Sequence, residues 1–414
     1  MLHNRKKQSF KFKSINNLII IPLKVNGVQG SYILDTGLST NILFKAKTKI
    51  DSSYANLRKV TLNGFGNGPN MEAIVTVDNT FQLENLQATK QRMLLVLDEH
   101  VNLSAKMGMT IDGMIGYEFF KNFIVKINYR SKQITVYNPQ YFKKKTRKSY
   151  HTFPLQFHKY KPYLKGKVLL ANNKEIKTPV KLLIDTGGSD ALWLFEDAAQ
   201  NLIPTETHFK DFLGESISGS IFGNKCRIEE FQIGDFIFKQ PIVSFLDKKS
   251  TELARRIKNR NGSVGGGLLR RFVVWFDYGN KEITLKKSRG FRDAFTYNMS
   301  GLDMNYSGDI LIAETKISSF YVQDKEQKLK LTKDFKFSLK PSYIVGHVRE
   351  NSPGALAGAQ VGDLVLKVNR KASYKMSFDE INTLFYTKKN KWVRLLVARD
   401  GKEITLKFKL QNEL

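Results

Sequence analysis

The stretch YILDTGLST at residues 32–40 decides the fold together with its second occurrence, LLIDTGGSD at residues 182–190. In each stretch an apolar run leads directly into Asp-Thr-Gly, and the two aspartates, Asp35 and Asp185, are 150 positions apart. Apolar runs of this kind are typical of buried strands, and glycine supplies the backbone freedom of a tight turn. Each stretch therefore predicts a strand that ends in a turn bearing an aspartate.

Two further pairs of segments repeat in the same order. DGMIGYEFF at residues 112–120 corresponds to NGSVGGGLL at 261–269, and FIVKINYRSKQITVY at 123–137 corresponds to FVVWFDYGNKEITLK at 272–286. Both pairs are 149 positions apart, so the two halves differ by almost no net insertion. Three blocks at nearly one offset predict an internal duplication.

Each half has the composition of a β-rich domain. Residues 123–137 and 272–286 are rich in β-branched and aromatic residues, and Asn26-Gly27 is a strong hairpin signal. A helix is predicted over about residues 251–260. The basic run KKKTRK at residues 143–148 predicts a solvated linker between the halves.

The sequence pattern changes after about residue 290. SPGALAG at residues 352–358 leads into VGDLVLKVN at 361–369. The sequence SFDE at residues 377–380 is a capping box and predicts a helix to about Tyr386. Two strands, joined by the turn residues Asp400-Gly401, are predicted to close a separate small α+β module.

Two Asp-Thr-Gly turns in one chain point to a specific chemistry. Two carboxyl groups that share one proton can act together, one as a base on a water molecule and the other as an acid toward a carbonyl oxygen. The glycine after Asp-Thr allows the two turns to approach closely, since it has no Cβ. The threonine hydroxyl is expected to bond to the opposite turn and to hold the carboxyl groups coplanar.

These motifs resemble the lobes of the pepsin-like and retropepsin-like aspartic proteases over about residues 15–290. The resemblance implies that Asp35 and Asp185 are catalytic and that the following residues support the catalytic loops: Thr36, Gly37, Thr186, Gly187, Gly116 and Gly265. It also suggests flap residues, namely Gly64, Phe65, Gly66, Gly219 and Ser220. Ser263 departs from the family pattern, because a hydrophobic residue usually stands at that position.

The C-terminal module resembles a bacterial PDZ domain. The resemblance implies that its carboxylate-binding loop consists of Met299, Ser300, Gly301 and Leu302, and that about residues 309–342 are an insertion. The whole architecture looks like the bacterial aspartyl proteases that carry a PDZ domain. The implied fold is mainly β, with two pseudo-symmetric acid-protease lobes and a small α+β domain. The predicted segments are a basic arm (1–14), lobe 1 (15–142), a linker (143–150), lobe 2 (151–290) and the PDZ-like domain (291–414).

Composition limits the other function classes. The 414 residues include 67 Lys and Arg against 38 Asp and Glu, which gives a formal net charge of +29, and one cysteine, Cys226. A single cysteine excludes a disulfide scaffold and a cysteine-rich zinc site. The charge favours an anionic surface as a partner, but no nucleic-acid motif accompanies it. The N-terminus lacks the apolar core of a signal peptide, so a periplasmic location is expected only if a leader precedes it, and a cytoplasmic one otherwise.

The leading hypothesis is a monomeric aspartic endopeptidase without cofactor or metal, whose PDZ domain recruits or regulates a polypeptide substrate. The alternative is an inactive adaptor that binds peptides with the same lobes and PDZ domain, and a third reading is a surface-anchoring protein. The residues after the two Asp-Thr-Gly motifs are Leu38 and Gly188, which carry no hydroxyl. Since a hydrogen bond to a carboxylate lowers its pKa, their absence predicts raised pKa values and a pH optimum above the strongly acidic range.

Overall fold

The computed structural model describes residues 6–44, 58–62, 71–96, 103–144, 147–170, 176–216, 219–321, 329–387 and 389–414. The chain forms two compact units. The first comprises Met1–Leu103, Thr110–Tyr297 and Glu413–Leu414, and the second comprises Ser104–Met109 and Asn298–Asn412. The chain is mainly β, as the sequence predicts. Among these described residues, no helix has the length and apolar character needed to cross a membrane.

Within the described residues, the N-terminal half contains eleven strands and two short helices. They are β1 (Lys7–Lys11), β2 (Lys13–Ile15), β3 (Leu18–Val25), β4 (Val28–Leu34), β5 (Asn41–Phe44), β6 (Lys59–Leu62), β7 (Met71–Leu83), β8 (Leu86–Val96), α1 (Leu103–Met107), β9 (Gly113–Ile115), α2 (Tyr117–Lys121), β10 (Ile124–Asn128) and β11 (Gln133–Tyr137).

The following half repeats this order with more strands. It contains β12 (His151–Pro154), β13 (Gln156–His158), β14 (Lys161–Leu169), β15 (Thr178–Ile184), β16 (Leu192–Phe195), β17 (His208–Ser216), β18 (Gly219–Arg227), β19 (Glu230–Ile233), β20 (Phe236–Lys239), β21 (Ile242–Leu246), α3 (Lys248–Arg255), β22 (Arg260–Val264), α4 (Gly266–Leu269), β23 (Phe272–Asp277) and β24 (Glu282–Lys287).

The two halves have equivalent sheets, which confirms the internal duplication. The first sheet has the order β2-β3-β4-β9-β5-β8-β7-β6, and the second has β17-β18-β21-β16-β22-β15-β14-β19-β20 with β13 beside β14. In both sheets the strand that leads to Asp-Thr-Gly, β4 or β15, lies between an antiparallel partner and a parallel partner. The antiparallel partners are β3 and β14, and the parallel partners are β9 and β22.

A six-stranded sheet joins the halves of the first unit. Its order is β1-β11-β10-β23-β24-β12, and the antiparallel pair β10–β23 contributes one strand from each half. Residues 7–11 of the predicted basic arm are strand β1 of this sheet, and Phe10 on that strand is buried. The arm is held there because burial of a phenylalanine side chain stabilises the folded state by roughly 1.5–3 kcal/mol.

Helix α3 begins earlier than the sequence predicts and ends before Arg260. The Asp247 carboxylate accepts a hydrogen bond from the Ser250 amide at 2.6 Å and caps the first turn. An N-cap satisfies amides that the helix leaves unpaired, so the helix begins at Lys248. Arg260 is the first residue of the buried strand β22 and not the last residue of a helix, so the predicted range 251–260 is wrong at both ends.

In the described part of the second unit there are two long strands, two helices, two shorter strands and a closing hairpin. Its elements are β25 (Leu302–Tyr321), β26 (Leu329–Val348), α5 (Pro353–Leu356), β27 (Leu364–Val368), β28 (Lys371–Ala372), α6 (Phe378–Thr387), β29 (Trp392–Arg399) and β30 (Lys402–Lys409). The predicted capping box is present, since the Ser377 amide donates to Glu380 at 2.7 Å and the Glu380 amide donates to the Ser377 hydroxyl at 3.2 Å. The predicted insertion lies within the β25–β26 hairpin.

Candidate active site

The two Asp-Thr-Gly turns meet within the first unit. Asp35 directly follows β4, and its amide donates to the carbonyl of Ile115 on β9 at 2.8 Å. Asp185 directly follows β15, and its amide donates to the carbonyl of Val264 on β22 at 2.9 Å. Each aspartate is therefore fixed by the strand before it and by the hydrophobic segment of the later repeat, as the duplicated blocks predict.

The two aspartate carboxyl groups lie close together. A Cβ at Gly37 would lie 2.9 Å from Asp185 Oδ1 and 3.0 Å from Asp35 Oδ1, so both oxygens face the same point. Each carboxyl group also accepts a hydrogen bond from the glycine amide of its own turn, at 2.6 Å from Gly37 and at 3.0 Å from Gly187. Asp35 is only 8% exposed. This arrangement allows one proton to be shared between two carboxyl groups.

The threonines of the two turns are bonded reciprocally. The Thr36 hydroxyl donates to the carbonyl of Ile184 at 2.7 Å, and the Thr186 hydroxyl donates to the carbonyl of Leu34 at 2.7 Å. Each hydroxyl also accepts the other threonine's amide at 3.0 Å. Both threonines are fully buried. Because four hydrogen bonds connect the turns, the relative position of the two carboxyl groups is fixed by the fold.

Glycine is required where the turns approach each other. A Cβ at Gly187 would lie 2.5 Å from the Asp35 carboxylate, and one at Gly37 would lie 2.9 Å from Asp185 Oδ1. Gly116 and Gly265 pass closely beneath the turns, where a Cβ would lie 2.4 Å from the carbonyl oxygens of Leu38 and Asp190 respectively. Contacts of this length are shorter than van der Waals separation, so any larger residue would displace the turns.

The environment raises the pKa of Asp35 well above its ordinary value. Burial is the largest cause, followed by the charge of Asp185 and the hydrogen bond from its carboxyl group. The Gly37 amide and the charge of Lys161 act in the opposite direction. The contribution expected from the missing hydroxyls at Leu38 and Gly188 remains a prediction.

Charged and phenolic side chains near the dyad were not anticipated from the sequence. Lys161 begins β14, and its pKa is lowered by burial and by Arg260 while both aspartates oppose this shift. Arg260 on β22 is buried, with its guanidinium 5.9 Å from the centre of the Tyr163 ring. Tyr278 is fully buried, and its pKa is raised by burial and then by Asp35, Tyr117 and Asp185.

Arg260 is bonded to Ser263, the position at which the predicted pattern has a hydrophobic residue. Arg260 Nη2 donates a hydrogen bond to Ser263 Oγ at 3.0 Å, and both residues are buried on β22. A hydrophobic residue at position 263 would leave this part of the guanidinium without an acceptor, which is costly inside a protein. In the first half the duplicated positions are Ile111 and Met114, which are both apolar. The sequence feature that could have indicated this contact is that both positions are apolar in the first half and polar in the second.

Hairpin turns on each half contact the opposite active-site loop. Asn17, in the turn between β2 and β3, donates from its side chain to the Ser189 carbonyl at 3.0 Å. Ser39 donates from its hydroxyl to the carbonyl of Lys159, in the turn between β13 and β14, at 2.7 Å. Ser39 and Ser189 are equivalent in the duplication, so these two contacts form a pseudo-symmetric clamp.

The predicted flap residues fall into two groups. Gly64, Phe65 and Gly66 lie outside the described residues. Gly219 and Ser220 begin β18, which pairs with β17, and the Ser220 hydroxyl donates to Glu215 at 2.8 Å across this hairpin. The β17–β18 hairpin is the edge of its sheet, the position that β6 and β7 occupy in the other half.

The predicted carboxylate-binding loop uses its amides inside its own unit. The Met299 amide donates to the Phe385 carbonyl of α6, the Ser300 amide to the Asn298 side chain, and the Leu302 amide to the Ser300 hydroxyl, all at 3.0 Å. These donors are needed to bind a peptide carboxylate in the manner predicted. They must therefore exchange their present acceptors before this loop can perform that role.

Residues 344–399 match the sequence profile of the PDZ domain. This part of the chain is a PDZ domain. Among solved structures, the crystal structure of the aspartic proteinase from Irpex lacteus is similar, with 13% identity and a TM-score of 0.42 over 70% of this chain and 99% of that one. In the comparison with curated proteins, no sequence matches the chain.

Proposed function

We propose that the protein is an aspartic endopeptidase with Asp35 and Asp185 as its catalytic dyad. The observation that carries this proposal is the close approach of the two carboxyl groups, held by glycine amides and by the reciprocal threonine bonds. A purely structural role would not require a buried carboxyl group, Asp35, to lie beside a second one, because like charges at a desolvated site raise the free energy of the folded state.

The proposed mechanism uses one shared proton. We assign that proton to Asp35, since burial and the neighbouring charge raise its pKa, and we assign the negative charge to Asp185. Asp185 takes a proton from a water molecule as that water attacks the peptide carbonyl carbon, while Asp35 donates its proton to the carbonyl oxygen. Asp185 then gives the proton that it took from the water to the amide nitrogen, and Asp35 takes a proton from one gem-diol hydroxyl as the C–N bond breaks, which restores the starting dyad.

Cleavage of an unfolded protein tests this proposal. We expect the full-length chain to cleave reduced, denatured casein at weakly acidic pH and a pepstatin-type inhibitor to block the reaction. Asp35→Asn and Asp185→Asn should each reduce cleavage by at least about a thousandfold, since an amide cannot hold or accept the shared proton. The matched control is Asp235→Asn, whose side chain is 88% exposed. Activity retained in either dyad variant would contradict the mechanism.

The PDZ domain supports a second proposal, that the chain binds a polypeptide ligand separately from cleavage. Residues 344–399 match a domain that binds peptides, although the loop amides of Met299, Ser300 and Leu302 have internal acceptors. An inactive adaptor would retain this binding and lack cleavage. Fluorescence anisotropy of a C-terminal peptide library on the Asp185→Asn chain separates the two roles, with C-terminally amidated peptides as the control.

A further inference from the structure

Lys161 and Asp185 lie just beyond the last described pair of strands β14 and β15. The described pairs of the antiparallel strands β14 and β15 extend to Tyr163 opposite Leu183. Continuing this register by two residues brings Lys161, the first residue of β14, opposite Asp185, which directly follows β15. Residues directly opposite each other in an antiparallel pair have side chains on the same face, with Cβ atoms about 4.5–5.5 Å apart. The first residue of β14 is therefore a cross-strand neighbour of the dyad.

The corresponding position in the other half carries no charge. Strands β3 and β4 pair as far as Ile20 opposite Ile33, and two residues further on Leu18 falls opposite Asp35. Leu18 is buried and Lys161 is half-buried. At this position of the continued register, one half of the duplicated scaffold has a lysine and the other has an aliphatic residue. This asymmetry is not required by the fold, because both hairpins have the same topology.

The turn before Lys161 is held in an unfavourable backbone conformation. Lys159 and Tyr160 have φ values of 47° and 68°, whereas the equivalent turn of the first half uses Asn16 and Asn17 at 49° and 64°. Asparagine tolerates this left-handed region, but a bulky residue such as tyrosine does so at a cost. Strain of this kind persists where the surrounding structure fixes it.

Two contacts fix that turn. The Lys159 carbonyl accepts the Ser39 hydroxyl at 2.7 Å, and the Tyr160 ring packs against the Tyr117 ring with centroids 4.7 Å apart. Both contacts come from the first half of the chain, close to its Asp-Thr-Gly turn. They fix the start of β14, and with it the backbone of Lys161, relative to the dyad.

The electrostatic effects are consistent with this placement. The charge of Lys161 lowers the pKa of Asp35 against the effect of burial, and both aspartates raise the pKa of Lys161 against burial and Arg260. Other titratable groups near the dyad belong to several elements. They are Tyr163 on β14, Lys159 in the turn before it, Arg260 on β22, Tyr278 after β23, and Tyr117 on α2.

We propose that Lys161 is a positioning residue that keeps the dyad singly ionised at a lower pH than its burial would otherwise allow. A positive charge near both aspartates stabilises the ionised form of the pair, so the dyad loses the first of its two protons at a lower pH. The catalytic part of this inference rests on the proposed peptidase function. The effect on dyad titration does not.

Two measurements on the full chain test the proposal. The first is the pH profile of casein cleavage by the wild type and by Lys161→Met, Lys161→Gln and Lys161→Arg. The second is a titration of the Asp35 and Asp185 carboxyl carbons by ¹³C NMR, with the signals assigned from the two aspartate-to-asparagine variants. Lys167→Met is the matched control, because Lys167 is an exposed lysine on the same strand.

Lys161→Met and Lys161→Gln should both move the acid limb of the profile, which is the rise of activity on its acidic side, to higher pH. The titration of the carboxyl groups should move in the same direction. At a fixed pH on that limb, cleavage should fall about tenfold, since an opposite charge at this range moves a carboxyl pKa by about one unit or more. Lys161→Arg should keep the wild-type profile, as should Lys167→Met. A structural role alone would lower the amount of folded protein without moving the limb.

The outcomes separate this inference from the peptidase proposal. A titration that shifts in the neutral variants of a chain without peptidase activity supports the role of Lys161 and contradicts the proposed function. A titration that stays unchanged in folded Lys161→Met or Lys161→Gln overturns the inference, whether or not the chain cleaves casein. A shift in Lys161→Arg as large as in Lys161→Met would also overturn it, because arginine preserves the charge.

Discussion

Asp35 connects the chemistry of the site to the stability of the chain. Its pKa is raised in the folded state by burial and by Asp185, whereas in the unfolded chain an aspartate titrates near about 3.9. The protonated carboxyl therefore contributes stability that is fully present below the unfolded pKa. That contribution is lost as the pH rises through the folded pKa, since the buried group must then ionise.

Asp35→Asn should remove this pH dependence. An amide does not titrate, so the free energy of unfolding of the variant should rise relative to the wild type between about pH 4 and neutral pH. Urea unfolding at several pH values measures the difference, with Asp235→Asn as the exposed control. Parallel stability curves for wild type and Asp35→Asn across this range would show that the carboxyl group has no raised pKa.

Individual residues differ in how far the sequence predicts them. Asp35, Asp185 and the two threonines follow from a repeated motif whose chemistry and spacing are visible in the chain. Lys161 and Arg260 do not, because their proximity to Asp185 depends on strand register and on the parallel pairing of β15 with β22. A lysine in a basic sequence with 67 Lys and Arg residues carries no signal until its cross-strand partner is known.

At the scale of the elements, the two turns depend on glycine for close approach. Gly187 and Gly188 are adjacent in the same turn, yet a Cβ at Gly187 would lie 2.5 Å from the Asp35 carboxylate, whereas one at Gly188 would lie no closer than 3.6 Å to any atom. The second distance is an ordinary van der Waals contact. Substitutions at these two glycines therefore distinguish a steric clash with Asp35 from the loss of backbone flexibility that any replacement of glycine causes.

Gly187→Ala should destabilise the first unit by about 1–3 kcal/mol and abolish cleavage, since overpacking forces a side chain or backbone to move. Gly188→Ala should change the free energy of unfolding by less than about 0.5 kcal/mol. Urea unfolding of both variants provides the comparison. Equal destabilisation by the two substitutions would mean that the turn is sensitive to any methyl group and not to the contact with Asp35.

The ends of helices and loops differ in how well the sequence predicts them. The capping box places the start of α6 correctly because its signal consists of local hydrogen bonds between Ser377 and Glu380. The start of α3 is set by Asp247, which the periodicity of the following residues did not reveal. The loop at 299–302 could not be evaluated from sequence either, because the acceptor of the Met299 amide lies on α6, more than eighty residues away.

At the scale of the whole molecule, the first unit extends beyond the predicted boundary at residue 290 to Tyr297. Arg271 is buried, and its guanidinium donates to the carbonyls of Phe291 at 3.1 Å and Ala294 at 3.3 Å. The same guanidinium lies 3.7 Å from the centre of the Phe295 ring. The sequence pattern could not predict this boundary. Residues 291–297 form no strand, and they contact Arg271 mainly through carbonyl groups and an aromatic ring.

A pair of truncated chains tests the role of this segment. Residues 1–297 should fold and unfold cooperatively, whereas residues 1–290 should be less stable by a few kcal/mol, since removing Phe291 and Phe295 exposes apolar surface and leaves Arg271 buried without these acceptors. Burial lowers the pKa of Arg271 to about 10, which shows how strongly its charge depends on compensation. Urea denaturation monitored by tryptophan fluorescence compares the two chains directly. Equal midpoints for both would mean that the segment only covers the core, and that the boundary of the folding unit lies at residue 290 after all.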